Sequence, residues 1–231
     1  MNLTQAAGRL ATAEDVSALS TVVTSTLMSG PLSTWLVPDA ADRPAVMRLY
    51  ADAVLTHGVK HGQVYTTDER AAVAVSYSQV QPPSPSDGIG DGIDLPRVLG
   101  PHAHRFVTLH TLTDYVFPHR PHHYIAQLAA RAGQWTAARM LLATLNEGLD
   151  AQDLPAYAEI SSPCPRETVF AQLGYVPRSP ILLAEGGPVL WRMWRPPLDP
   201  RLPGGLPRRV RLHRAAAQPL QVMPAASPAT Q

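Results

Sequence analysis

The sequence predicts an α/β protein. One domain over about residues 7–195 carries a mixed, mostly antiparallel central sheet flanked by helices, with a short extension at 1–6 and a disordered tail at 196–231. Three observations predict it. The chain has 231 residues, 45% of them hydrophobic and 16% charged, which supplies enough apolar side chain for one core of ordinary size. The apolar pattern switches repeatedly between a helical repeat and strict alternation, and its second half reads β-α-β-α-β-β, an order suited to a sheet with helices packed on it. From Pro196 onward the pattern stops, and eight prolines without periodicity leave nothing to bury.

Each element has a local reason. Arg9-Leu10-Ala11 is a short strand. Thr12 then offers an N-cap oxygen, with Glu14 and Asp15 in the favourable first turn and Val16, Leu19, Val22, Val23 and Leu27 at helical spacing. Ser29-Gly30-Pro31 breaks that helix. A second runs from near Asp42 to Thr56 with Val46, Leu49, Tyr50, Ala53 and Val54 on its apolar face, and Gly58 and Gly62 close it. Residues 63–67 and 71–77 alternate as paired strands about an Asp68-Glu69-Arg70 turn. Residues 81–94 read as a flexible loop whose Asp/Gly run lacks the terminal Glu of a calcium loop. A helix from about Pro101 to Val116 leads to the Pro118–Pro121 turn. Strands then follow at Tyr124–Ala129, Ala156–Ile160, Tyr175–Leu183 and Val189–Trp194, with helices at Trp135–Asp150 and Glu167–Leu173 between them.

Charge and cysteine content exclude several classes. Residues 196–231 hold five Arg and one Asp, so the rest keeps 14 basic and 17 acidic side chains and is no nucleic-acid footprint. No apolar run is long enough for a membrane span, and no secretory leader is visible, so a soluble cytoplasmic protein is expected. Cys164 is the single cysteine, which excludes an internal disulfide and a cysteine-only zinc site. His119-x-x-His122 could offer two metal ligands, but no paired cysteine or acid accompanies it and no metal is expected. His57 and His61 flank Gly58 and are not expected to share a helical face.

The order of elements, together with several short segments, resembles the GCN5-related N-acetyltransferase (GNAT) superfamily, and within it the puromycin N-acetyltransferase-like proteins. The segments are Arg9-Leu10-Ala11-Thr12, Val64–Asp68 with Ala71–Ala74, Pro118–Pro121, Leu154–Tyr157 with Glu159, Leu173-Gly174-Tyr175, and Gly187-Pro188 with Trp191. The resemblance implies an acetyl-CoA loop of the form Gln/Arg-x-x-Gly-x-Gly/Ala between a strand and a long helix, where helix N–H groups meet the pyrophosphate. The matching stretch, Arg131–Arg139, departs from the pattern. With Gln134 at its head the small positions become Ala137 and Arg139; aligned from Gly133 to Ala138, Thr136 stands for Gly and the leading Gln/Arg is lost. Trp135 falls in the loop itself and could plug the groove. The family's general-acid tyrosine is matched by Phe170, which has no proton to give.

The resemblance also implies site residues. Glu159, at the end of a central strand, stands as the base facing the cleft, with His119 or His123 as a further acid/base group at the mouth of the strand opening. Trp35, Tyr115, Tyr124 and Tyr157 are candidates to line the substrate cavity. Leu128, Ala130, Gln134, Trp135, Thr136, Ala137 and Ala138 would contact acetyl-CoA if it is used. Because the departures converge on the cofactor site, the expected function is cofactor-free acid/base chemistry on a small natural-product-like substrate, such as cyclisation, elimination or isomerisation. The alternative is weak acetyl-CoA-dependent N-acetylation of a small amine, and the third reading is a non-catalytic binding protein. No nucleic acid or membrane partner is expected; a homodimer is possible.

Overall fold

A computed structural model describes residues 8–80 and 92–198. The extension at 1–6, residues 81–91 of the Asp/Gly loop and the tail from 199 onward lie outside the described residues. The elements are β1 (Arg9–Leu10), α1 (Val16–Met28), α2 (Pro31–Leu36), α3 (Arg43–His61), β2 (Gln63–Thr66), β3 (Ala72–Gln79), α4 (Leu95–Leu99), α5 (Ala103–Tyr115), β4 (His122–Ala130), α6 (Trp135–Ala151), β5 (Ala156–Ser161), α7 (Val169–Gln172), β6 (Val176–Leu182) and β7 (Val189–Arg195). They build one sheet in the order β1-β2-β3-β4-β5-β7-β6, antiparallel at every contact except β4–β5. The mixed sheet with flanking helices is as the sequence predicts. Among the described residues no helix is long and apolar enough to cross a membrane.

Local chemistry explains the differences from the sequence reading. Gly30-Pro31 ends α1 but also starts α2, because proline at the first helical position lacks only a hydrogen bond that position never makes. α3 passes through Gly58 to His61. A Cβ at Gly58 would stand 2.8 Å from Val75 Cγ1 and 2.9 Å from Val64 Cγ2, so its missing side chain lets α3 lie close on β2 and β3. That continuation puts His57 and His61 one turn apart with ring centroids 4.8 Å from each other, contrary to the expectation that they diverge. The short helix expected at Glu167–Leu173 narrows to α7, preceded by a 3-10 turn at Pro165–Glu167, because Thr168 stays extended and accepts the Ala171 N–H as the cap.

Both sheet faces are covered. α6 and α7 pack Ala138, Leu142 and Phe170 onto Ile125, Ala156, Ala158 and Met193. α1 and α3 pack Leu19, Val23 and Leu55 onto Val64, Val73 and Val75 on the other face. A third cluster joins α2, α3 and α5 to Ile181 and Leu190.

Two irregularities open the middle of the sheet. The parallel β4–β5 pairing runs only from His123–Ala156 to Ile125–Ala158; beyond it β4 stays on β3 while β5 continues on β7, so the two strands part. At the same level the β3–β4 register steps from Ser76–Ile125 to Val75–Gln127, leaving Ala126 as an unpaired bulge.

Candidate active site

The parted strands create a cleft through the sheet. On the α6/α7 side it is a cavity of about 580 Å³, bounded by β4 at Ile125–Leu128, by Trp135, Thr136 and Arg139 of α6, and by Phe170 of α7. On the α3/α5 side it continues as a narrow chamber of about 110 Å³. Leu27, Leu32, Ala126, Gln127, Glu159 and Ser161 border both. Glu159 therefore stands where the two compartments meet.

The alternation of β5 puts Tyr157, Glu159 and Ser161 on one face. Burial raises the Glu159 pKa to about 7 because the carboxylate loses water, and the nearby Asp114 adds to the rise. The Tyr124 and Tyr157 hydroxyls lie near enough to pull it partly back. Even so, Glu159 Oε1, the Tyr157 hydroxyl and Ser161 Oγ are each buried without a hydrogen-bond partner. Buried polar atoms are almost always paired, so a cluster of orphans at a cleft marks a place where another molecule completes the bonding.

Across the chamber, the Tyr50 hydroxyl and His110 Nε2 are 3.1 Å apart. Burial lowers the His110 pKa to about 4, so its imidazole is neutral at pH 7. This Tyr–His pair escaped the sequence reading.

The sequence-predicted residues divide between the cleft and elsewhere. Tyr124 lines the chamber, and Tyr157 stacks beside it with centroids 5.9 Å apart. His119 is exposed on the loop before β4. His123 points to the opposite sheet face from Tyr124, where it lines a separate cavity with Tyr65 and Leu141; burial lowers its pKa to about 4. Neither histidine borders the cleft. Tyr115 is 86% exposed at the end of α5. Trp35 is buried, its indole N–H donating to the Ala184 carbonyl at 2.9 Å and the Arg105 guanidinium 5.5 Å from its ring, so it braces α2 against the β6–β7 turn. Cys164 is exposed.

At the loop, Gly133 adopts φ +76°, a left-handed turn that swings the chain from β4 into α6 and suits glycine. Gln134 is exposed at the N-cap and accepts the Ala137 N–H at 2.9 Å. Ala138 is fully buried beneath the helix. The Ala130 N–H is held by Thr26 Oγ1 at 3.3 Å and its carbonyl accepts from the same hydroxyl, so Ala130 offers no free amide. Leu128, Trp135 and Thr136 do line the larger cavity, and Trp135 is 47% exposed at its border. Trp135 thus walls the groove and leaves it open. Arg139, one turn further along α6, adds a guanidinium to the same wall. Phe170 is buried, edge-on to Tyr175 with centroids 5.2 Å apart.

No family model matches the chain, and no curated protein matches it. Solved structures do. The chain is similar to a "histone acetyltransferase HPA2 and related acetyltransferase" from Corynebacterium glutamicum at 22% identity and TM-score 0.57, covering 85% of this chain and 98% of that one. It is similar also to arylalkylamine N-acetyltransferase 2 from Aedes aegypti at 10% identity and TM-score 0.53, covering 82% and 97%. The fold is that of the GNAT acetyltransferases.

Proposed function

We propose that the protein is an acetyl-CoA-dependent N-acetyltransferase acting on a small amine, with Glu159 as the general base. One observation carries this reading: a two-compartment cleft runs through the parted β4 and β5, and the single carboxylate lining it among the described residues stands where the compartments join. The names of the solved acetyltransferases point the same way, although at their level of identity they speak to fold.

The residues fit the cofactor. The larger cavity lies within the 300–1,000 Å³ that ligand sites commonly enclose. The first turn of α6 carries N–H groups without intrahelical partners at Trp135 and Thr136, and Arg139 adds positive charge, which suits a pyrophosphate. The Ala126 bulge leaves backbone polar groups outside the β3–β4 ladder beside Glu159. Acetyl-CoA would supply an activated acetyl group there. Glu159 accepts the proton of the incoming ammonium, which its raised pKa favours, because transfer replaces two poorly solvated charges by two neutral groups. Leu27 and Leu32 give the exchange an apolar wall.

A second reading, cofactor-free acid/base chemistry in the same cleft, is favoured by Phe170, which provides no acid at the position where the resemblance implies one. Calorimetric titration with acetyl-CoA and CoA separates the two. Micromolar binding, with thiol release on adding an amine, is the expected result. An absence of binding by protein whose circular dichroism shows it folded would overturn the acetyl-transfer reading and leave the second.

A further inference from the structure

We infer that the acceptor is a primary amine bearing one compact apolar group and no second charge. This class rests on the acetyl-transfer reading for its chemistry and on the chamber beyond Glu159 for its content. The chamber's apolar wall is made by Leu27, Leu32, Leu36, Val54, Leu109 and Leu190, which arrive from α1, α2, α3, α5 and β7, and uncharged polar side chains share the lining with Glu159. Its volume is about 110 Å³. An apolar protein cavity of roughly 150 Å³ admits a benzene ring, so this smaller one takes a group of about four or five carbons.

Charge narrows the class further. Among the described residues that line the chamber, Glu159 alone can carry a charge at neutral pH, since burial keeps His110 neutral. An ammonium entering from the cleft meets that carboxylate and forms one pair. A carboxylate on the acceptor would meet no cation and would stand against Glu159. A second ammonium would find no second carboxylate among the described residues of the lining. Unpaired charge in such a place is strongly disfavoured, whereas an apolar group gains from burial. The remaining polar lining, the Tyr50–His110 pair with Thr113, Tyr124, Gln127 and Ser161, carries no charge and can accommodate a single hydroxyl on the apolar group.

The full chain tests this by calorimetry with three amines of similar size, 3-methylbutylamine, leucine and 1,4-diaminobutane, alongside acetyl-CoA. 3-Methylbutylamine is expected to bind, with leucine and 1,4-diaminobutane each at least thirtyfold weaker. A smaller difference for either, or no binding of 3-methylbutylamine, overturns the assignment. Leu109→Trp fills the chamber and is expected to abolish amine binding while acetyl-CoA affinity changes less than threefold. The wild-type panel carries the test whether or not that variant folds. The two readings fail separately. Selective binding of 3-methylbutylamine without acetyl-CoA binding removes acetyl transfer and keeps the chamber's selectivity. Acetyl-CoA binding with leucine or the diamine as the preferred acceptor keeps acetyl transfer and removes the assignment made here.

Discussion

Asp15 is buried and Glu159 half-buried with its Oε1 enclosed, and the surroundings of these two carboxylates push them in opposite directions. Asp15 is 1% exposed and fully answered: Arg9 Nη1 donates to Oδ2 at 2.7 Å, Arg9 Nη2 and Arg70 Nε donate to Oδ1 at 2.9 and 2.6 Å, and the Thr12 N–H donates at 3.0 Å. Hydrogen bonds from Arg9 first, then from the Thr12 backbone, hold its pKa far below the ordinary carboxylate range. Glu159 has no cation among its hydrogen-bond partners and one oxygen with no partner, and its pKa rises to about 7. Asp150 belongs with Asp15, since Arg195 reaches both its oxygens at 2.7 and 2.6 Å and the Leu198 N–H adds a third bond. A carboxylate that ties β1 to the β2–β3 turn, or β7 to α6, needs all its bonds made within the fold. A carboxylate that handles a proton needs some left open.

The comparison breaks or holds in five places. Glu159→Gln should lower kcat/KM for amine acetylation by roughly 10²–10⁴-fold and remove the rise in rate as pH passes upward through about 7, measured by thiol release across pH 5–9. Asp150→Ala strands the Arg195 guanidinium, only 3% exposed, and should cost about 3–5 kcal/mol in urea denaturation. Asp15→Asn should cost about 2–3 kcal/mol at pH 7. Because the folded pKa of Asp15 is depressed, its contribution is present above the unfolded value near 3.8 and is lost as pH falls below it, so the gap between wild type and variant should shrink in acid melts.

For Glu159 the sign reverses. Its folded pKa is raised, so the wild type loses stability as pH climbs from about 4.5 through about 7, and Glu159→Gln should be more stable than wild type by about 1–3 kcal/mol at pH 8.5 and unchanged at pH 4. The smallest effect is expected from Phe170→Tyr. It places a phenol at the cavity wall and should raise acetylation up to about tenfold if proton delivery to the departing thiolate limits the rate.

Much of the fold was legible because its strands alternate and its helices repeat. Residues 63–66 and 72–79 carry their pairing in their pattern, and Thr12-x-x-Asp15 carries its capping box. α2 and α4 were not legible. α2 starts on Pro31 and α4 carries Pro96 at its second position, and a proline reads as a break until the chain around it is seen. Glu159 could be found because it is an acid at the end of an apolar strand, matched by a resemblance. The Tyr50–His110 pair could not, since 60 residues separate its members and only the packing of α3 against α5 joins them. His123 neighbours the cleft in sequence, but strand alternation sets it opposite Tyr124 and into a separate cavity. Trp135 was expected to plug the groove because its position in the loop is legible and its direction is not.

The measurement that bears most directly on the central claim is a carbon-detected NMR titration of the side-chain carboxyls, with Glu159 assigned by comparison with Glu159→Gln. A midpoint near 7 for Glu159, while Asp15 stays ionised to the lowest accessible pH, is the predicted result. A Glu159 midpoint near 4.5 would mean that the carboxylate is solvated or paired, and would contradict its assignment as the base of the cleft.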